Sequence, residues 1–151
     1  MATLSLDDHL CFALYTASRA VAAAYRPLLT EFGLTYPQYL VLVVLRESGE
    51  VSVSGLGERL QLDSGTLSPL LKRMESNGLV VRTRSENDER SVTVALTKAG
   101  RQLEVKVRCV PERLAGLAGT SGMAEEELVR LRDDVNRLTA LLRHAEHVPA
   151  Q

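Results

Sequence analysis

Apolar positions along the chain follow two rhythms. From Leu4 onward they return every three or four residues, at Leu10, Leu14, Ala17, Val21 and Leu28, the spacing of one buried face on a long amphipathic helix that ends in the region of Pro27 and Gly33. Ser5 with Asp8 three residues later forms a weakened capping box at its start. A second helix begins at TYP, where the proline holds Tyr36 extended and itself suits a first helical turn. It carries LVLVVL, Leu40 to Leu45, apolar on every side, which predicts burial all round.

After the Ser48-Gly49 break come two short helices, around Leu56 to Leu60 and from about Asp63 to Asn77, the second ended by Gly78. The period then changes to two. Val92, Val94 and Leu96 alternate with Ser91, Thr93 and Ala95, and across the polar SENDE they face Val80, Val81 and the Arg82 to Arg84 stretch, which predicts a β-hairpin. Two tightly joined helices followed by a hairpin is the order of a winged helix-turn-helix. Thr97 caps a helix running toward Pro111. A last helix carries Leu128, Leu131, Val135, Leu138 and Leu142, with Glu125, Glu126 and Glu127 at its start and Arg143 and His144 near its end, as the helix dipole favours. The expected fold is mainly α with a small β-hairpin wing: one domain over residues 1–151, with a winged helix-turn-helix at about 35–100 and flanking helices at 1–34 and 101–151. The apolar stripes of the flanking helices exceed the partner surface so small a module offers, which predicts a homodimer joined through them.

The length of 151 residues suits one domain, and 45% hydrophobic with 25% charged residues supports a core and excludes wholesale disorder. Lysine plus arginine number 18 against 19 acids, so a nucleic-acid surface has to be local. No apolar run approaches the ~20 residues of a membrane helix. The start, MATLSLDDH, lacks the features of a secretory signal, so a cytoplasmic protein without a membrane partner is expected. Cys11 and Cys109 are too few for a disulfide framework, and no histidine joins them in a zinc spacing, so neither metal nor cofactor is expected.

Residues 62–101, LDSGTLSPLLKRMESNGLVVRTRSENDERSVTVALTKAGR, resemble the MarR family of winged-helix transcription regulators, with DER and LT-x-x-G the specific part. The resemblance implies that the helix from Asp63 to Arg73 enters the major groove of a pseudo-palindromic operator and that Arg90 of the wing enters the minor groove. Ser64, Thr66 and Ser68 offer hydroxyls to base edges or phosphates, though the same hydroxyls suit simple helix capping. Gly65 allows close approach, and Lys72 and Arg73 suit phosphates. Pro69 either follows an irregular start, with the helix proper beginning near Thr66, or kinks the helix. Arg84 belongs to the basic strand leading to the wing, while Asp88 and Glu89 orient Arg90 or form the turn.

The motifs LCFALY, YRPLL, TYPQYLVL and LDSGTLSPLLKRM together resemble the organic hydroperoxide resistance branch of that family. This second resemblance implies that Cys11 is a peroxide-reactive thiol assisted by Tyr25 and Tyr36, with Tyr15 nearby. Such chemistry requires a thiolate. With the helix starting near Leu4, Cys11 lies more than one turn inside it, where the dipole has faded, and Asp7 and Asp8 oppose ionisation. Phenolic hydroxyls are the remaining donors. Cys11 and Tyr25 lie about 21 Å apart along one helix, so a bond between them has to cross between subunits. Some members of the branch resolve the oxidised thiol with a second cysteine. Cys109, just before Pro111, is either that residue or a structural thiol.

The expected function is a homodimeric repressor that releases operator DNA when organic hydroperoxide oxidises Cys11. The alternative is a repressor of the same fold released by a noncovalent phenolic or lipophilic ligand. A thiol peroxidase is disfavoured because it would leave the reading helix and wing without a role, so no enzyme is expected.

Overall fold

The computed structural model describes residues 5–84, 92–118 and 122–146. The chain divides into two compact units, one ending at Leu114 and one beginning at Ala115. The first opens with a 3₁₀ turn, Leu6–Asp8, and only then enters helix α1, Leu10–Thr30. Side chains set that break. Asp8 Oδ2 accepts from Ser5 Oγ at 2.7 Å and from Ser5 N at 3.1 Å, and the His9 ring Nδ1 lies 2.7 Å from Ser5 O. His9 is therefore the extended cap, and the helix starts later than Leu4. Pro27 lies inside α1 and forfeits one backbone bond without ending the helix.

Helix α2 spans Tyr36–Ser48. Thr35, not Tyr36, is the extended residue (φ −92°, ψ 161°), and its N–H donates to Gln38 Oε1 at 2.9 Å. This cap draws Tyr36 into the first helical turn despite the proline that follows. Val41, Leu42, Val44 and Leu45 are buried and Leu40 and Val43 half-buried, so LVLVVL is the central helix of the core as its pattern predicts.

A two-residue strand β1, Val51–Ser52, leads into α3, Val53–Leu60, and α4, Ser64–Ser76. Strands β2, Val80–Arg84, and β3, Val92–Leu96, form the expected hairpin, with Val80 opposite Leu96 and Arg84 opposite Val92. β1 adds an unpredicted third strand on the far side of β3, giving the antiparallel order β1-β3-β2. Two residues are too few to show an alternation in sequence. The helix expected from Thr97 toward Pro111 is α5, Lys98–Val107, and a helix not expected from the sequence, α6, Val110–Ala118, follows it with Pro111 in its first turn.

The core joins Leu28 and Leu29 of α1 with α2, Leu56, Leu67, Leu71, Met74, Val80, Val94 and Val107. In the second unit, helix α7, Glu125–Glu146, begins with three acids, and its Leu128, Leu131 and Leu142 are exposed.

Candidate functional site

The helix-turn-helix is joined by Gln61, whose left-handed backbone (φ 57°) lets Leu62 N donate to Gly57 O at 2.9 Å. Asp63 then caps α4: Oδ1 accepts from Thr66 N at 2.8 Å and Oδ2 from Thr66 Oγ1 at 3.0 Å. These two bonds hold the Asp63 carboxyl below its usual range. Of the roles open to Thr66, the structure occupies its hydroxyl proton in the cap. Ser64, Gly65, Ser68, Lys72 and Arg73 stay exposed, while Leu67, Leu71 and Met74 anchor the opposite face. The helix is regular from Ser64, so Pro69 is interior and supplies no N–H to the carbonyl of Gly65.

The wing root is braced rather than free. Glu75 Oε2 of α4 accepts from Arg82 Nε at 2.9 Å and Nη2 at 2.6 Å, and Oε1 from Arg82 N at 3.3 Å, which holds the Glu75 carboxyl low. Arg82 is thereby committed to protein, whereas Arg84 at the end of β2 is exposed. Asp88, Glu89 and Arg90 lie outside the described residues. The physical meaning of LT-x-x-G is visible at the other end of the hairpin. Thr97 Oγ1 donates to Gly78 O at 2.6 Å and accepts from Gly100 N at 3.0 Å, and a Cβ on Gly100 would stand 2.0 Å from Leu79 O.

Because α1 begins at Leu10, Cys11 is the second residue of the helix and not more than a turn inside it. The exposed thiol therefore sits in the first turn of the helix, one turn or more nearer its N-terminus than a start at Leu4 would place it. Tyr15 follows one turn later, exposed, and its hydroxyl accepts from Arg19 Nη1 at 3.1 Å. Far along α1, Tyr25 packs on Tyr36 with ring centroids 4.7 Å apart, and Tyr39 joins them at 5.9 and 6.3 Å. Burial, then the neighbouring phenols, pushes the Tyr25 hydroxyl's pKa up, and burial outweighs the nearby Arg46 to do the same at Tyr39. Both phenols consequently keep their protons.

The structure thus gathers Tyr25 and Tyr36 but leaves Cys11 about 21 Å and Tyr15 about 15 Å from Tyr25 along the axis of an unbroken helix. Tyr39 and Arg19 are additions. The three-residue spacing of TYPQY was the available signal for the first, and the four-residue step from Tyr15 for the second. Cys109 is an exposed free thiol in the joint between α5 and α6, its sulfur 3.4 Å from Lys106 O.

A buried carboxylate completes this unit. Glu104 of α5, 4% exposed, accepts from Arg108 Nη2 at 2.6 Å and pairs with Arg46 of α2 at 3.5 Å. Beside it lies a cavity of about 390 Å³ lined by residues including Leu45, Arg46, Ala95, Leu96 and Arg108.

The family model described as Transcriptional regulator SarA/Rot matches residues 23–106. AbsC, a MarR family transcriptional regulator from Streptomyces coelicolor, superposes with a TM-score of 0.82 at 26% identity, over 95% of this chain and 99% of its own. The organic hydroperoxide resistance transcriptional regulator of Bacillus subtilis (strain 168) is 45% identical over 139 residues, 92% of each chain. The chain belongs to the MarR family of transcription regulators, in its organic hydroperoxide resistance branch. The structure of reduced AbfR bound to DNA superposes on this MarR chain with a TM-score of 0.77 at 34% identity, covering 94% and 95% of the two chains. These relatives are regulators and not enzymes. Among the described residues of the MarR chain, no helix is long and apolar enough to cross a membrane.

Proposed function

We propose that this MarR chain is a homodimeric repressor that holds a pseudo-palindromic operator while Cys11 is reduced and releases it when an organic hydroperoxide oxidises that thiol. The carrying observation is the placement of an exposed thiol in the first turn of α1, about 21 Å along that helix from Tyr25 and the phenols of α2 packed on it, too far for them to serve it within one chain. In a dimer, the phenols of Tyr25 and Tyr36 reach Cys11 of the partner and stabilise its thiolate. The exposed apolar residues of α1 and α7, among them Leu10, Val21, Leu131 and Leu142, supply the joining surface.

The thiolate attacks one oxygen of the peroxide. A sulfur–oxygen bond forms as the oxygen–oxygen bond breaks, the alkoxide leaves and takes a proton to become an alcohol, and sulfur, oxidised by two electrons, becomes a sulfenic acid. The phenols lose the anion that held them, and Cys109 is the candidate for resolving the sulfenic acid as a disulfide. Two reading helices have to stay about 34 Å apart to occupy both half-sites, so a small rotation of the subunits breaks the pair of contacts. On the DNA side, Ser64, Gly65, Ser68, Lys72 and Arg73 face the major groove, with Thr66 held by its cap. Arg84 follows the backbone and Arg90 reaches the minor groove, with Asp88 either orienting Arg90 or forming the turn.

The cavity beside Glu104 favours a second reading, release by a small noncovalent ligand, since its volume is within the range of ligand sites. Cys11→Ser separates the two in a gel shift. Under the first reading it binds operator and ignores cumene hydroperoxide; a variant that still lets go on peroxide overturns that reading. Tyr25→Phe is expected to slow Cys11 oxidation with the fold intact, and an unchanged rate removes the phenol from the mechanism.

A further inference from the structure

We propose that Arg19 is a further positioning residue for the thiol chemistry, acting on Cys11 through Tyr15. The inference rests on the peroxide-sensing reading above. Cys11, Tyr15 and Arg19 follow one another at four-residue steps on α1, so they form a row along one side of the helix. Side chains on a helix lean toward its N-terminus, which tilts Arg19 onto Tyr15 and Tyr15 toward the turn that carries Cys11. The Arg19–Tyr15 contact is made twice over. Arg19 Nη1 donates to the Tyr15 hydroxyl at 3.1 Å, and the guanidinium carbon lies 5.5 Å from the centroid of the Tyr15 ring.

A phenol whose oxygen accepts from a guanidinium is polarised and becomes a stronger donor through its own hydrogen. A phenol 56% exposed, with its oxygen held in this way, has that hydrogen free to meet a sulfur anion. The turn before Cys11 carries Asp7 and Asp8, with Asp8 bonded to Ser5, and His9 caps the helix. Within α1 the charged residues are Arg19 and Arg26, and on α2, which packs against it, they are Arg46 and Glu47 at the far end. Arg19 is thus the nearest cation on α1 to oppose the two aspartates. During oxidation it holds the Tyr15 donor in place while the sulfur anion passes its electron pair to the peroxide oxygen and the departing alkoxide collects a proton.

The test compares the full-length protein with R19Q, R19K, Y15F and the R19Q/Y15F double variant. Cys11 oxidation by cumene hydroperoxide is timed at pH 7. The pH profile of Cys11 alkylation by iodoacetamide is followed by peptide mass spectrometry, which separates it from Cys109. R19Q and Y15F are each expected to slow oxidation by about three- to tenfold and to move the alkylation profile to higher pH. The double variant should be no slower than the slower single variant, and R19K, which keeps the charge and the helix, should recover part of the rate. A wild-type rate and profile in R19Q overturns the proposal, as does slowing without a profile shift or a double variant showing the product of both losses. If Cys11→Ser is blind to peroxide while R19Q behaves as wild type, the proposal alone fails. If Cys11→Ser still responds, the sensing reading fails with it.

Discussion

Replacing Gly100 with alanine asks how tightly the wing is seated. A Cβ at this position would lie 2.0 Å from Leu79 O, 3.0 Å from Leu79 C and 3.3 Å from Leu96 Cδ2. The first two contacts are with backbone, so no side-chain rotation relieves them. Either α5 or the start of β2 has to retreat by about an ångström, and such overpacking costs roughly 1–3 kcal/mol. The same Leu79 oxygen accepts from Thr97 N at 3.1 Å, so the retreat also weakens a bond worth about 1 kcal/mol. Against this, alanine in a helix gains up to ~1 kcal/mol over glycine, less in a first turn. The net expectation is destabilisation of about 2 kcal/mol. Equilibrium urea unfolding measures it as a lower midpoint at an unchanged slope. Gly116→Ala is the control, because a Cβ there meets nothing within 4 Å and should be neutral or stabilising. A Gly100→Ala protein as stable as wild type, or more so, would refute the close-approach argument.

Further outcomes are expected at the wing. Arg84→Ala should weaken operator binding uniformly across sequences and reduce the dependence of log affinity on log salt by about two units for the dimer, about one per Arg84; an unchanged slope means Arg84 meets no phosphate. Glu75→Gln should lower operator affinity by loosening Arg82, while leaving the helical circular dichroism signal intact. Its pH behaviour follows from the sign of the shift. The folded Glu75 carboxyl titrates below its ordinary 4.5, so its contribution to stability is present above that value and disappears as pH falls through the lowered one. Stability of Glu75→Gln measured from neutral pH into this acid range should therefore fall less steeply than that of the wild type, and identical curves would contradict the brace.

Much of the fold was legible in the chain because single segments carry it. LVLVVL announces a helix buried on all sides, the period of two over Val92 to Leu96 announces the wing, and Thr97 announces a cap. The start of α1 was not, because Leu6 and Leu10 fit an α-helical stripe whether or not the turn before them is α-helical. The side-chain bonds among Ser5, Asp8 and His9 decide the matter, and with it the place of Cys11 in the first turn. Thr66 stood open between capping and DNA contact because one hydroxyl suits both, and only the distance to Asp63 assigns its proton. Glu104 was hidden for a different reason. Polar positions on an amphipathic helix are read as solvated, and its burial depends on Arg46, which reaches it from a different helix.

That buried acid has a consequence for how the chain can vary. Glu104 answers to two cations at once, and removing it leaves Arg46 and Arg108 repelling each other beside an apolar wall, whereas removing the cations strands a negative charge away from water. An apolar triple replacement of matching volume escapes both penalties. Substitution at positions 46, 104 and 108 should accordingly be concerted across descendants of this chain, with half-changed intermediates purged, a signature that pairwise covariation among related sequences will expose.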